Sequence, residues 1–530
     1  MDEFNYRVMI PTAGAGTRVK DSSRGLNKAL VAVDGKPAIS FVVEKFPESV
    51  EIVVALGYQG DLVRQFLQMA YPHRTFHFRE VSEYEGENSG LTVSLWECRD
   101  LLQCPFVFCA NDTVLSDETE IPEPTYNWAG YDLREDCREY RTLRIQDDFV
   151  TAIYDKLEGD SHHAYIGVCG ILHYRYFWEN MKDAISNKEY SIGETYGLTY
   201  LVFRNLKAIP MKWLDFGNEK SLKNAKDSLK SDQSPNILPK QDEAIWFVGD
   251  SVIKYHKDKN FIRNRCVRAE YLRGFIPEIT SRSGNLYKYE KVPGEIFSKR
   301  ANPGQLKDLL DWLESDFWGN APLGVDDSST FHQAAESFYK DKSYSRAQEY
   351  LNRFSLTDIP QRINGKLVPE TSDMLGCIDW WKLSNGYPGR FHGDLHFENI
   401  LIKDDGKYCL LDWRQDFGGW KSFGDKFYDL AKLRHGMIVG HYQVFNEKYY
   451  VNNSDKKHIH ISINRSRQMQ DCLEYFDVRY AHDIFKIKIL TSLIFLNIAP
   501  LHHDPYCHFL YYLGKLSLWN TLKGETNAGL

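Results

Sequence analysis

The chain has 530 residues, too many for one hydrophobic core, which rarely grows past about 250–300 residues, so two or more domains are expected. Hydrophobic residues make up 43%, charged residues 26% and aromatics 14%, which excludes a disordered chain, a collagen and a coiled coil. Lys and Arg total 65 against 73 Asp and Glu, a formal charge of −8; that argues against a general nucleic-acid binder and still allows a local phosphate pocket. The ten cysteines are scattered with no C-x-x-C pair, which reads as reduced thiols in a cytoplasmic protein. The N-terminus shows no basic start followed by an apolar run, so no signal peptide is expected. The pattern is silent on oligomeric state.

Over roughly the first 115 residues strand and helix signals alternate. A strand at 6–10 runs into a Gly-rich turn, and a helix over 37–46 opens with proline. Strands follow at 51–56 and 75–81. A helix over 90–102 is anchored by Leu91, Leu95, Leu101 and Leu102, and a buried strand at 106–109 leads to Asn111 and Asp112. Strands separated by helices imply parallel βαβ units, whose ligands lie at the carboxyl ends of the strands. Linker composition at 226–235 puts a boundary near residue 230, giving domains 1–230 and 231–530. Beyond it a hairpin over 244–255 turns at Gly249 and Asp250, a helix covers 260–272, and 285–292 is strand-like. From 303 onward the chain reads as mostly helical, interrupted by a loop and hairpin at 391–413. The apolar run Ile484–Leu501 contains Lys486, Lys488, Asn497 and Pro500, and reads as a core helix, so no membrane partner is expected.

The first chemical motif is Pro11-Thr12-Ala13-Gly14-Ala15-Gly16-Thr17-Arg18, directly after a strand. Its glycines let backbone N–H groups close on phosphate oxygens, and Arg18 offers a forked guanidinium to the same group. Asn27-Lys28-Ala29-Leu30 and Asp34-Gly35-Lys36-Pro37 follow. This run resembles the signature of the sugar-phosphate and choline-phosphate nucleotidyltransferases, G-x-G-T-R…P-K-x-L…G-K-P, with Asn27 where the family usually has proline. The resemblance covers about residues 6–226. It implies a Rossmann-like mixed sheet in which Ala13, Gly14, Gly16 and Thr17 cradle a nucleotide and Arg18 and Lys28 are the catalytic cations. It further implies that Gly57, Asn88, Ser89 and Gly90 meet the base, that Asp112 and Asp215 hold Mg²⁺, and that Glu194 lies on the substrate side. A phosphomonoester attacking the α-phosphorus of a nucleoside triphosphate brings two anions together. Two carboxylates holding Mg²⁺, with Arg18 and Lys28, neutralise that repulsion and the leaving pyrophosphate.

The second motif is His392-Gly393-Asp394-Leu395-His396-Phe397-Glu398-Asn399, followed by Leu411-Asp412-Trp413-Arg414. Asp394 and Asn399 are spaced as in the kinase loop H-x-D-x-x-x-x-N. The aspartate accepts the proton of an attacking hydroxyl and the asparagine holds Mg²⁺; Asp412 supplies the second metal carboxylate. The run resembles the aminoglycoside phosphotransferase and choline kinase superfamily over 391–433, including Tyr428-Asp429-Leu430-Ala431. That resemblance implies a two-lobed protein-kinase-like α+β domain, with an N-lobe at about 240–300 and a helical C-lobe at about 301–530. In it Lys254 meets ATP phosphates and Glu270 pairs with Lys254, with an exposed salt bridge as the alternative. Glu290 and Val292 lie on the strand whose backbone meets adenine. No G-x-G-x-x-G precedes Lys254, only Gly249.

His162-His163, His458 with His460, and His502-His503 lack zinc-like companions and read as solvated or core histidines. Trp380, Trp381, Trp413 and Trp420 read as core packing ahead of a cation–π cage for a quaternary ammonium. Together these readings give a bifunctional enzyme acting on small molecules. Its kinase half phosphorylates a small alcohol or sugar with ATP. Its transferase half couples that phosphate to a nucleoside monophosphate, CTP being favoured, to make an activated precursor for surface polysaccharide. The alternatives are an anomeric sugar kinase joined to a uridylyl- or guanylyltransferase, and a nucleotide-sensing regulator with dead sites.

Overall fold

The structure, a computed structural model, describes residues 4–16, 25–116, 118–159, 162–215, 242–319 and 325–525, with the backbone alone at Asp215 and 325–327. Thr17, Arg18 and the expected boundary near 230 lie outside the described residues. The chain divides into two compact units. Unit 1 comprises Met1–Pro235, Gln241–Tyr255 and Ser281–Lys288; unit 2 comprises Asn236–Lys240, His256–Thr280 and Tyr289–Leu530.

Unit 1 is built on a nine-stranded mixed sheet. Its strands run in the order Phe76–Glu80, Glu51–Leu56, Arg7–Pro11, Phe106–Cys109, His163–Ile171, Trp128–Leu133, Lys207–Pro210, Phe149–Tyr154 and Thr142–Gln146. The first four are mutually parallel, with Val8 opposite both Ile52 and Val107. His163–Ile171 then runs antiparallel to Phe106–Cys109. The inner three of the parallel strands are largely apolar runs, as strands buried on both faces are, whereas the edge strand Phe76–Glu80 carries His77, Arg79 and Glu80 and is only half-buried. Side chains alternate between the faces. Val8, Ile10, Ile52 and Val54 therefore share one core with Phe66 and Leu67 of the helix Gly60–Ala70, while Met9, Val53, Phe106 and Phe108 share the other with Leu95, Phe177 and Met181. The helix expected over 37–46 is shorter, Ala38–Val43, and the one expected over 90–102 ends as an α-helix at Glu97 before a 3₁₀ turn at Arg99–Leu101.

Trp246, from the strand Glu243–Val248, belongs to the first of these cores. Its indole N–H donates to the Leu30 carbonyl at 3.0 Å, and its ring meets Phe66 edge-on at 5.1 Å.

Unit 2 is largely helical. Its long helices are Val325–Arg353, Lys426–Ile438, Arg467–Arg479, Ile484–Ile498 and Tyr506–Leu522. The run Ile484–Leu501 is long and apolar enough to cross a membrane, and 67% of it is buried inside the structure. The expected hairpin forms between Ile400–Ile402 and Tyr408–Leu410, with Leu401 opposite Cys409. A second hairpin was not anticipated. Tyr449–Asp455 pairs with His458–Ile463, and two short strands, Gln361–Ile363 and Lys366–Val368, complete a four-stranded sheet. His458 and His460 are its exposed face, alternating with buried Ile459 and Ile461. Among the described residues no disulfide links the ten cysteines.

Trp246→Ala is expected to remove about 3–5 kcal/mol from unit 1, the usual range for deleting a fully buried aromatic. Urea unfolding followed by tryptophan-independent circular dichroism measures it; a loss below about 1 kcal/mol would detach Trp246 from this core.

Candidate functional site

In unit 1 three loops converge at the carboxyl ends of the parallel strands. After Pro11 the chain is held by Thr12, whose N–H and hydroxyl both donate to the Ala55 carbonyl at 3.0 and 2.7 Å. The Ala13 carbonyl accepts from Tyr58 N–H at 2.9 Å. Gly57 is required here by space, because a Cβ would lie 2.5 Å from the Ala13 carbonyl oxygen and 2.8 Å from Tyr84. Asn27 explains the departure from proline. It is fully buried, its amide donates to the carbonyls of Thr12 and Tyr58 at 2.9 and 2.6 Å, and its side-chain oxygen accepts from Ala29 N–H. Its own N–H donates to Gln59 at 2.9 Å, a bond proline cannot make. Asn27 thus ties the Gly-rich loop to the loop after the second strand and sets the neighbouring lysine.

Lys28 points its ammonium at Asp112, 2.5 Å away, with the two side chains 11% and 25% exposed. Asp112 sits in the turn after Phe106–Cys109, which Ala110 N–H closes onto the Gly167 carbonyl at 2.8 Å. The next residue, Thr113, pairs with Asp215 in the antiparallel ladder Thr113–Leu115 with Trp213–Asp215, so the backbones of the two aspartates reach the same end of that ladder. Glu194 opens the helix Glu194–Leu201 and is buried, with one carboxyl oxygen lacking a hydrogen-bond partner among the described residues. Burial first, and then the Asp112 charge, push its carboxyl up to about 7, against the Arg141 charge. Ser89 and Gly90 precede the helix Leu91–Glu97 and Asn88 is exposed. A Cβ on Gly90 would lie 2.0 Å from the Tyr190 carbonyl oxygen, so glycine lets this helix start pack on the segment before Glu194.

In unit 2 the loop 391–399 is fixed from beneath by Asp429. Its buried carboxylate accepts from the N–H groups of His392 (2.8 Å) and Gly393 (2.7 Å) and from the Trp318 indole (3.1 Å). Burial pushes this carboxyl up to about 6, and those three donors favour its ionised form. Burial lowers His392 to about 3, so its imidazole is neutral and Nδ1 accepts from Asp394 N–H at 3.2 Å. Asn399 donates its amide to the Asp394 carbonyl at 2.8 Å, which leaves its side-chain oxygen as the atom available to a cation. The hairpin brings Asp412 alongside: Leu411 N–H donates to the Asn399 carbonyl and Arg414 N–H to the His392 carbonyl. Asp412 meets Arg265 at 2.6 Å, and Asp394 meets Lys432 at 2.8 Å.

Asp112, and Asn399 with Asp412, offer hard oxygen donors of the kind that suit Mg²⁺; the Asp215 side chain lies outside the described residues. For Asn399 with Asp412 the orientation of the Asn399 amide supports the fit.

No family model and no curated protein matches the chain. Solved structures do. CTP:phosphocholine cytidylyltransferase from Streptococcus pneumoniae is 19% identical, with a TM-score of 0.36 over 43% of this chain and 100% of that one. A candidate glucose-1-phosphate thymidylyltransferase from Bacillus anthracis is 21% identical, with a TM-score of 0.36 over 44% and 98%. The inositol-1-phosphate CTP transferase from T. maritima is 14% identical, with a TM-score of 0.33 over 44% and 99%.

The structure places Lys28, Asp112 and Glu194 around one end of the unit 1 sheet, and Asp394, Asn399 and Asp412 around one loop of unit 2. Lys254 is buried in the strand Ser251–His256. Glu290 closes the strand Leu286–Glu290 and is exposed, and Val292 follows half-buried. Glu270 requires correction. It is 69% exposed and, at the end of the helix Lys259–Tyr271, pairs at 3.0 Å with Arg273 just beyond that helix. It follows Arg268 by two residues, about 200° around a helix of 3.6 residues per turn, and so faces away from the side that buries Arg265 and Arg268. Arg265 is the residue of this helix that reaches a site carboxylate. The tryptophans form no cage: Trp413 is fully buried and donates to the Arg265 carbonyl, Trp380 is buried, and Trp381 is exposed against His332. Sequence reading missed Asn27, Arg265, Lys432 and the anchoring role of Asp429. The spacing of Arg265 and Arg268 at i and i+3 was the available signal for the helix.

An acid whose folded pKa is raised loses stability as pH climbs from its unfolded value, here 4.5, to about 7, and none beyond. Glu194→Gln is therefore expected to be more stable than the parent at pH 8 by up to about 3 kcal/mol and equal to it near pH 4. Urea unfolding in EDTA at the two pH values checks this; parallel stabilities at both would show that Glu194 does not titrate in this range.

Proposed function

We propose that the protein is a bifunctional cytoplasmic enzyme: unit 2 phosphorylates a small hydroxyl compound with ATP, and unit 1 transfers CMP from CTP to that phosphate. The product is a nucleotide-activated precursor of the kind used for surface polysaccharide. The observation that carries the reading is that each unit holds its own constellation of chemistry-bearing residues, one built on the Lys28–Asp112 pair and one on Asp394, Asn399 and Asp412. The motif order supports a nucleotidyltransferase followed by a kinase.

In the first step the acceptor hydroxyl gives its proton to Asp394 while its oxygen bonds to the γ-phosphorus and the bridge to the β-phosphorus breaks, releasing ADP. Lys432 keeps the Asp394 carboxylate placed for that proton. In the second step an oxygen of the new phosphomonoester bonds to the α-phosphorus of CTP and the α–β bridge breaks, releasing pyrophosphate. Lys28 stabilises the charge that develops on the phosphates, the role the motif also assigns to Arg18. Mg²⁺, when held by Asp112 and Asp215 or by Asn399 and Asp412, supplies further charge neutralisation. The kinase acts first because the transferase consumes a phosphomonoester.

The test separates the two units. Asp394→Asn is expected to lower ATP-dependent phosphorylation by about 10²–10⁴-fold while pyrophosphate release from a supplied phospho-acceptor stays within about twofold. Asp112→Ala is expected to do the reverse, lowering pyrophosphate release by about 10²–10³-fold and leaving ADP release intact. Loss of both activities in either folded variant refutes two independent sites.

A further inference from the structure

The surroundings of Asp394 carry more positive charge than the proposed phosphoryl transfer accounts for. Lys342 lies on the helix Val325–Arg353 between Phe338 and Arg346, four residues to either side and so on the same face. Its ammonium is 4.6 Å from the centre of the Phe338 ring. The Arg414 guanidinium is 4.9 Å from the same ring. Arg414 is tied by its N–H to the His392 carbonyl, two residues before Asp394. Lys432 contacts Asp394 itself. Lys432 thus meets Asp394 and Arg414 adjoins the loop, while Lys342 shares the Phe338 ring with Arg414 and has Arg346 one turn further along its helix. Asp394 answers Lys432 and Glu349 answers Arg346, at 2.8 and 2.5 Å. Among the described residues no carboxylate lies within ion-pair distance of Lys342 or Arg414; the Arg414 side chain donates to a backbone carbonyl, that of Asp416.

Two cations against one aromatic ring, with no carboxylate within ion-pair distance of either among the described residues, repel each other, and an anion between them relieves that repulsion. Burial first, and then Arg414, Lys432 and Arg346, hold the Lys342 ammonium well below the usual lysine range. A cationic acceptor would add to that repulsion, and a neutral one would leave it unrelieved.

We propose that the acceptor phosphorylated in unit 2 is an alcohol that carries an anionic group, a carboxylate or a phosphate, held by Lys342 and Arg414 while its hydroxyl faces Asp394. This rests on the kinase reading of unit 2 and narrows its substrate class away from amines and quaternary ammonium compounds. Arg414 suits the task because its fork donates two parallel hydrogen bonds to either oxyanion. The bond-making is that of the first step above, with the anionic group unchanged.

The full-length protein would be assayed for ADP release with ATP and Mg²⁺ against glycerate, glycerol 3-phosphate, glycerol and choline. One of the two anionic alcohols is expected to exceed both glycerol and choline in kcat/KM by at least about tenfold, the span of a hydrogen bond to a charged group. Which of the two it is separates a carboxylate site from a phosphate site. Lys342→Met and Arg414→Met are each expected to raise KM for that acceptor about 10- to 100-fold with KM for ATP within about twofold. Lys342→Arg is expected to restore most of the affinity, which a merely structural role would not predict. Preference for choline or glycerol, or a rise in KM for ATP with acceptor KM unchanged, overturns the inference and leaves the kinase reading standing. No acceptor-dependent ADP release across the panel overturns the kinase reading and this inference with it.

Discussion

Asp112, Asp394 and Asp412 each stand beside a cation, at 2.5, 2.8 and 2.6 Å. Charge is the constraint behind both candidate sites: under the proposed chemistry polyanionic ligands approach places where carboxylates are also needed. Lys28, Lys432 and Arg265 come from other parts of the chain than the carboxylates they meet, so each pair forms only when the surrounding backbone is in place. Such pairs add little to stability where water reaches them, and deeper ones carry a desolvation cost comparable to their attraction. Their value lies in holding a carboxylate in one orientation with a largely buried cation next to it.

That placement depends in turn on buried polar anchors. Asn27 bonds two loops of unit 1 at once, and Asp429 gathers the loop backbone of unit 2 from below. Nearby Asp425 is used in the same way: it is fully buried and accepts from Tyr387 N–H, Phe427 N–H and the Tyr339 hydroxyl. A buried polar group with every partner in place rigidifies its surroundings, whereas a partly satisfied one is costly. These residues touch no proposed reacting atom, yet they determine where Lys28 and Asp394 begin.

The aromatic residues of unit 2 work against the charge instead of replacing it. Phe338 packs on Phe417 at 4.7 Å and edge-on to Tyr428 at 5.1 Å, a firm wall against which Lys342 and Arg414 lie. A wall of low polarity strengthens the field of the cations beside it. It is this arrangement, and not a ring of tryptophans, that surrounds Lys342 and Arg414.

Much of this was legible in the chain. The strands at 51–56 and 106–109 and the hairpin after residue 399 form at the places their apolar runs indicate, because burial on both faces needs unbroken apolar segments. The Gly-rich loop and the spacing from Asp394 to Asn399 are local, so their chemistry can be read without a fold. The exposed alternation of His458 and His460 with Ile459 and Ile461 also marked a strand, but a run of helical signals on either side hid it. Contacts between residues far apart in sequence were beyond reach. Glu270 reads as a partner for Lys254 or as an exposed salt bridge, and packing of its helix decides for the second, exposing Glu270 beside Arg273 and burying Arg265 against Asp412. Lys342 and Lys432 are unremarkable in sequence, and Arg414, though part of the second motif, carries no sign there of lying near Lys342; the three are spread over 91 positions. The sequence by itself determined where many of the strands, helices and Gly-rich turns fall, since periodicity and backbone freedom are local properties. Only the tertiary structure decided which charges face one another, because the energy of a charge depends on every neighbour within a few ångströms, whatever its place along the chain.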